Sequence, residues 1–410
     1  MGRARVLNRV THRVAQTPLR RVGRRGEKLT VRVLVGMPDG ESLGGPAACE
    51  PPFVAELRRQ GVGVEEETYV YGERPGGTSH AERVRRVLDA ARRLKARLSS
   101  TRFDLLHLNT SFDTKALVRD AVTVSLLGRR GGARLFVKVH GSDGALLETT
   151  NPLLRRAART LFSRADGIGL LSTEELENFA RAGVGREKLF VVKNVVARRD
   201  ASEGVEAAAD AERKRRELAA RLGAGAGAPV LLFIARLIPA KGLLDVIRAC
   251  AVLRERGHEF VLACVGDGPA RAEAEREAER LDLRERVRFT GLVPESETAA
   301  FYEGSTALVF PTYHYEGFPM VVFHSLAAGL PVVTTRIRAA ADYLVEPDNC
   351  LWVEPREPAS LAEKIGRLLE HPDLRERMAV NNRRLALSFT AEPVTREYVE
   401  AYRTIVARRS

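Results

Sequence analysis

Residues 309–331, VFPTYHYEGFPMVVFHSLAAGLP, constrain the fold more than any other stretch of this chain. A short apolar run over residues 307–310 reads as a buried strand, and it stops at Pro311, which has no N–H to offer a sheet. A polar loop, residues 312–317, then leads into Val321, Val322, Leu326 and Ala327. Their three- and four-residue spacing marks a helix, closed by Gly329 ahead of Pro331. In an α/β sheet, ligands bind at the carboxyl ends of the strands. Glu316 stands in that mouth, just ahead of a helix N-terminus whose N–H groups favour a phosphate or a hydroxyl oxygen. A Glu in this place is equally suited to capping the helix.

The same alternation runs through the whole chain and predicts two doubly wound α/β domains. In the first half, residues 29–38 read as a strand that enters a loop with Gly40, Gly44 and Gly45. Residues 53–60 then form a helix ended by Gly61. Strand, glycine loop and helix make either an anion cradle or simply a tight turn. Residues 104–108, 134–139, 165–171 and 189–192 are further strands, with helices over 114–127 and 173–182, the latter capped by Ser172 and Thr173. The strand at 134–139 delivers His140, followed by Gly141. That is a place for an imidazole to meet a ligand, or for a His bonded within its own turn.

At residues 200–229 the composition shifts to Ala, Glu, Arg and Gly, ending in GAGAGAP, which marks a linker with a solvated helix at 212–222 and a flexible tract after it. Strands at 230–235, 260–265 and 287–290, with helices at 243–254, 270–281 and 295–304, then lead to the strand before Pro311. Helices at 358–370, 374–389 and 395–408 close the chain, the last packing back across both domains. The expected division is a basic segment 1–28, an acceptor-side domain 29–199, the linker 200–229, a donor domain 230–390 and a C-terminal helix 391–410.

A length of 410 residues exceeds one ordinary core, and 44% hydrophobic with 29% charged residues is a globular balance. No run is long and apolar enough to span a membrane. Cys49, Cys250, Cys264 and Cys350 stand far apart, as unpaired core thiols of a reducing compartment do. No HExxH pair, CxxC pair or DxD triplet occurs, so no metal or cofactor is expected. The net charge of +13 is uneven, for residues 1–28 hold nine Arg or Lys against Glu27 alone. Val6, Leu7, Val10 and Val14 share one helical side among these arginines. The segment is either a disordered basic tail or an amphipathic contact with an anionic membrane. The expectation is a cytoplasmic chain, with residues 1–28 as the candidate contact at the inner face of the membrane. No aromatic residue is interleaved among these cations, which argues against a nucleic-acid partner.

Three segments of the second half carry a resemblance: IARLIPAKG at 234–242, CVGDGP at 264–269, and the EGFP loop at 316–319 followed by AAGLPVV. Together they resemble the family 4 retaining glycosyltransferases of GT-B fold, over residues 31–387. The resemblance implies a transferase that moves a sugar from a nucleotide-sugar donor, a UDP-sugar, to a hydroxyl of a polysaccharide or lipid-linked glycan. It implies that Arg236 and Lys241 hold the diphosphate and that Glu316 contacts the sugar. Gly317, Phe318 and Pro319 would present backbone, His140 would reach the donor sugar, and Gly44, Gly45, Gly266 and Gly268 would line the donor site. The residue types agree: a departing diphosphate gains negative charge, and fixed cations stabilise that state most. His324 stands where the family has a second Glu, and residues 336–342 depart from its usual segment. A nucleotide-sugar binding protein and a sugar-nucleotide epimerase are the competing readings.

Overall fold

The computed structural model describes residues 31–38, 45–69, 79–197, 205–225 and 227–408. The basic segment 1–28 and Gly44 therefore lie outside the described residues. In the first half come β1 (Arg32–Met37), α1 (Gly45–Arg59), β2 (Gly63–Thr68), α2 (His80–Ser100), β3 (Leu105–Thr110) and α3 (Thr114–Leu127). They are followed by β4 (Arg134–Val139), α4 (Gly144–Leu147), α5 (Pro152–Arg164), β5 (Gly167–Leu170), α6 (Thr173–Arg181) and β6 (Leu189–Val191). Every strand pairing is parallel, in the order β2-β1-β3-β4-β5-β6.

The second half holds α7 (Val205–Arg221), β7 (Val230–Ile234), α8 (Leu243–Glu255), β8 (Val261–Val265), α9 (Arg271–Arg280), β9 (Val287–Gly291), α10 (Glu295–Gly304) and β10 (Ala307–Phe310). Then come α11 (Met320–Ala328), β11 (Val332–Thr335), α12 (Arg338–Tyr343), β12 (Cys350–Val353), α13 (Pro358–Glu370), α14 (Pro372–Ala386) and α15 (Ala391–Ala407). This sheet is also parallel, in the order β12-β11-β10-β7-β8-β9. Counted from β7, that is the doubly wound nucleotide-binding order, and the chain reverses direction between β7 and β10. The loops leaving these two neighbouring strands carry Arg236 with Lys241, and Glu316.

Alternate residues of β1 serve two cores. Leu34 packs with Leu106, Leu108 and the helices α2, α3 and α5, whereas Val33 and Val35 belong to an apolar cluster continuous with the second domain. The link is α15, whose Tyr398 and Tyr402 are fully buried against Phe53, His107 and Phe136 of the first domain. The last helix thus returns across both domains. The four cysteines are buried and no disulfide joins them. Among the described residues no helix is long and apolar enough to cross a membrane.

The structure departs from the sequence reading in several elements. Strands β2, β11 and β12 and helices α2, α4, α5 and α12 are additions to it. Helix α1 begins at Gly45 rather than at residue 53 and runs through Pro51 and Pro52. Both prolines are exposed, while Cys49, Phe53, Val54 and Leu57 are buried at helical spacing. Burying three large side chains at about 1.5–3 kcal/mol each outweighs the two backbone bonds the prolines cannot donate. Helix α7 is not solvated along its length, since Leu218 and Ala219 are buried and Gly304 of α10 lies against Leu218.

Candidate active site

Two loops at the switch point are locked together. After β7 the chain makes a short turn over Pro239–Lys241 that ends on Gly242 at φ +82°. A Cβ there would lie 2.6 Å from the Pro311 carbonyl oxygen, so only glycine lets this turn sit on the end of β10. Tyr313 donates its backbone N–H to Ala240 O at 2.9 Å and its hydroxyl to Pro239 O at 2.9 Å. Thr312 Oγ1 donates to Ala240 O at 3.3 Å. These bonds bring Lys241 Nζ into an ion pair with the Glu316 carboxylate. Burial, and then the Arg236 guanidinium, pull the Lys241 ammonium down to about 8, while the Glu316 carboxylate against it favours the charged form.

Arg236 is exposed and is placed by the glycine-rich end of β8. Leu237 N donates to Asp267 O at 2.9 Å, and Ala270 N to Leu237 O at 2.9 Å. Gly266, at φ +126°, lies so close to Ala235 that a Cβ would run into its carbonyl oxygen, and Gly268 stands likewise against Leu237. These two glycines therefore shape the segment that presents Arg236. Phe318 turns its ring into the core, stacked on Phe323 at 3.7 Å and edge-on to Phe389, and Pro319 is buried beside it. They anchor the loop whose backbone faces the cleft. Helix α11 starts at Met320 with no side-chain cap.

The first domain closes on this loop from the other side. A Cβ on Gly317 would fall 2.9 Å from His140 O and 3.0 Å from Gly141 Cα, so the two domains touch where Glu316 stands. The His140 imidazole is bonded within its own domain, Nε2 lying 2.8 Å from Asn109 Oδ1, and only 6% of the side chain is exposed. His324 sits on α11 with its ring 5.8 Å from that of Tyr302 on α10. Gly45 is the first residue of α1.

Further residues that the sequence reading did not single out stand beside these. Burial, then Lys241, Arg338 and Arg236, lower the pKa of His314. Arg338 also reaches the first domain, with Nη1 3.0 Å from Glu175 Oε1 and Nη2 donating to Ser142 O at 2.8 Å. Thr173 N donates to Asp342 Oδ2 at 2.7 Å beside it. Only the departure of residues 336–342 from the family's usual segment hinted at Arg338.

The sequence matches two protein families, described as Glycosyl transferases group 1 over residues 214–385 and Glycosyl transferase 4-like domain over residues 8–195. It is 30% identical over 278 residues to the GDP-mannose-dependent alpha-(1-6)-phosphatidylinositol monomannoside mannosyltransferase of Mycolicibacterium smegmatis, covering 65% of this chain and 70% of that protein. It is 27% identical over 264 residues to the alpha-D-kanosaminyltransferase of Streptomyces kanamyceticus, covering 62% of this chain and 66% of that one, just under two thirds of its length. In three dimensions it is similar to the Anabaena protein HepE solved with UDP and glucose, at a TM-score of 0.68 and 19% identity, over 91% of this chain and 99% of that one. With a family match in each half, a mannosyltransferase relative aligned over more than two thirds of its length, and the two-domain GT-B architecture, the chain belongs to the group 1, 4-like glycosyltransferases and is a transferase enzyme.

Proposed function

We propose that this enzyme is a retaining glycosyltransferase that uses a UDP-sugar donor and a hydroxyl acceptor on a polysaccharide or lipid-linked glycan. The observation that carries the reading is the convergence of Lys241, Arg236 and Glu316 at the switch point, facing His140 and Gly141 across the cleft. The diphosphate lies against Lys241 and Arg236, and the Arg236 fork suits bidentate contact with phosphate oxygens. A diphosphate on Lys241 shares the ammonium with Glu316 and leaves the carboxylate to accept a sugar hydroxyl. The HepE complex with UDP and glucose supports this choice of donor.

In the transfer, the bond between the anomeric carbon and the phosphate oxygen breaks, and its electron pair leaves with UDP. The acceptor oxygen bonds the anomeric carbon on the same face, and its proton passes to the departing phosphate oxygen. Lys241 and Arg236 act on the charge that develops on that oxygen, which is where fixed cations lower the barrier. Residues 1–28 remain the candidate for contact with an anionic membrane. The test is UDP release and product stereochemistry with UDP-glucose and other nucleotide sugars. Turnover with retained configuration, lost in Glu316→Ala, is expected. Binding of nucleotide sugars with no turnover in either form overturns the reading in favour of a binding protein, and an epimerised donor formed without acceptor overturns it in favour of an epimerase.

A further inference from the structure

Behind His140, inside the first domain, lies a charged cluster that the reaction above does not use. Glu50 on α1 is 0% exposed and Lys138 on β4 is 1% exposed, with Lys138 Nζ 2.6 Å from Glu50 Oε1. His140 Nε2 lies 3.4 Å from the same carboxylate oxygen and 2.8 Å from Asn109 Oδ1. The orientation of the Asn109 amide follows from its Nδ2, which donates to Gly36 O at 3.2 Å. Nε2 therefore faces two acceptors and carries the ring proton, which makes Nδ1 the basic nitrogen.

A buried ion pair is costly, and well-packed apolar side chains in its place are often as stable or more so. Fixing the state of a neighbour is a reason to keep one. A carboxylate alone beside an imidazole draws a proton onto the ring. Here the carboxylate already has an ammonium, so one negative and one positive charge cancel and the ring stays neutral. Burial alone would raise the Glu50 pKa, but Lys138 and then His140 hold it well below the usual carboxylate range. Burial, then Lys138, hold His140 down at about 4.

Among the described residues, the other titratable groups around the ring do not upset this balance. Cys49 on α1 has its thiol pushed up to about 12 by burial. His107 on β3 is held down at about 3, again mainly by burial. Tyr398 and Tyr402 on α15 are raised well above the usual range by burial. From the second domain the Gly317 backbone packs on His140, with Glu316 next in sequence and paired to Lys241. Cys49, Glu50 and His140 could also be grouped as metal ligands, since their donor atoms lie within 4.8 Å of one another. A divalent ion there would have to displace the Lys138 ammonium and ionise a buried thiol.

We infer that Glu50 and Lys138 are a positioning pair that holds His140 as the neutral, Nε2-protonated imidazole, so that its part in binding the donor sugar does not vary with pH. The inference rests on the reading of His140 as a donor-site residue. Histidine-15N NMR, with His140→Asn to assign the ring, and the affinities for UDP and UDP-glucose from about pH 5 to about pH 8 test it. The native chain should show a neutral Nε2–H ring throughout and a flat ratio of the two affinities. In Lys138→Met the ring becomes the counter-ion of Glu50, and the extra affinity for UDP-glucose falls about tenfold per pH unit below its new pKa while UDP binding holds. The double variant Glu50→Gln/Lys138→Met removes both charges and should return the neutral ring and the flat profile, which a merely structural pair would not do.

A ring that stays neutral in folded Lys138→Met, a folded double variant that keeps the altered profile, or Zn²⁺ shifting the His140 resonances would each overturn the inference. Should UDP fail to bind the native chain at all, the donor reading falls instead, and the NMR arm still decides the state of the ring.

Discussion

Arg338 leaves the second domain and meets Glu175 of the first, Nη1 to Oε1 at 3.0 Å, with 4% and 0% of the two side chains exposed. Glu175 in turn accepts from Ser142 Oγ at 2.7 Å and from Leu171 N at 3.2 Å. Ser142 follows His140 by two residues, so this pair fastens the first domain's cleft edge to the second. Arg338 has φ +36°, a region that non-glycine residues occupy at a cost, and its buried contacts hold it there.

Removing one partner of this pair strands a buried charge. Arg338→Ala should cost about 3–5 kcal/mol, while Arg338→Ala/Glu175→Leu should recover much of the loss because no lone charge remains. Chemical denaturation gives the energies, and small-angle scattering should show a larger radius for Arg338→Ala. An Arg338→Ala cost under about 0.5 kcal/mol, the ordinary surface range, would show that the pair does not hold the domains.

On the proposed reading, Lys241 should govern the pH dependence of diphosphate binding. Its pKa is held down at about 8, first by burial and then by Arg236. A diphosphate would bind the ammonium, so affinity should be full below that value and decline as pH rises through it. The dissociation constant of UDP should climb about tenfold per pH unit above about 8, and Lys241→Arg, whose guanidinium stays charged, should flatten the curve. Titration calorimetry across this range checks both, and identical curves for the two proteins would remove Lys241 from the diphosphate contact.

Two glycines with positive φ separate backbone strain from steric exclusion. Gly257, at φ +82°, has open space where a Cβ would stand, whereas Gly266, at φ +126°, meets the Ala235 carbonyl. Gly257→Ala should cost about 1 kcal/mol. Gly266→Ala should cost about 2–4 kcal/mol and also weaken UDP binding, because the segment bearing Arg236 has to move. Equal losses in urea denaturation, with UDP affinity unchanged, would contradict the close packing of the two strand ends.

The C-terminal helix should be essential to the first domain. The Tyr402 hydroxyl lies 2.5 Å from His107 Nδ1, and His107 Nε2 has no hydrogen-bond partner among the described residues. Tyr402→Phe therefore leaves a fully buried imidazole unsatisfied and should cost about 1–3 kcal/mol. Tyr398→Ala, which empties the centre of the aromatic cluster, should cost about 3–5 kcal/mol. Tyr315→Phe, at a site 63% exposed, should stay within about 0.5 kcal/mol. Thermal unfolding of the three variants gives the order.

Much of this protein was legible along the chain. Short apolar runs, several of them ended by Gly or Pro, announced most of the strands, and the loop that carries Glu316 does leave the carboxyl end of a parallel strand. That the loops carrying Arg236 with Lys241 and Glu316 meet could be read in advance, because neighbouring parallel strands deliver their carboxyl ends to one place. Helix α1 was misplaced by eight residues because Pro51 and Pro52 speak against a helix locally while the buried face of Phe53, Val54 and Leu57 outweighs them.

The groups that tune the site were out of reach of any local pattern. Lys138 and Glu50 stand 88 residues apart, and Arg338 and Glu175 stand 163 apart. Periodicity reports which face of an element is apolar, but a charge in sequence looks the same whether it will meet water or a buried partner. Which carboxylate meets which cation is settled when the sheets close and α15 crosses from one domain to the other, since only then does desolvation make the pairing compulsory.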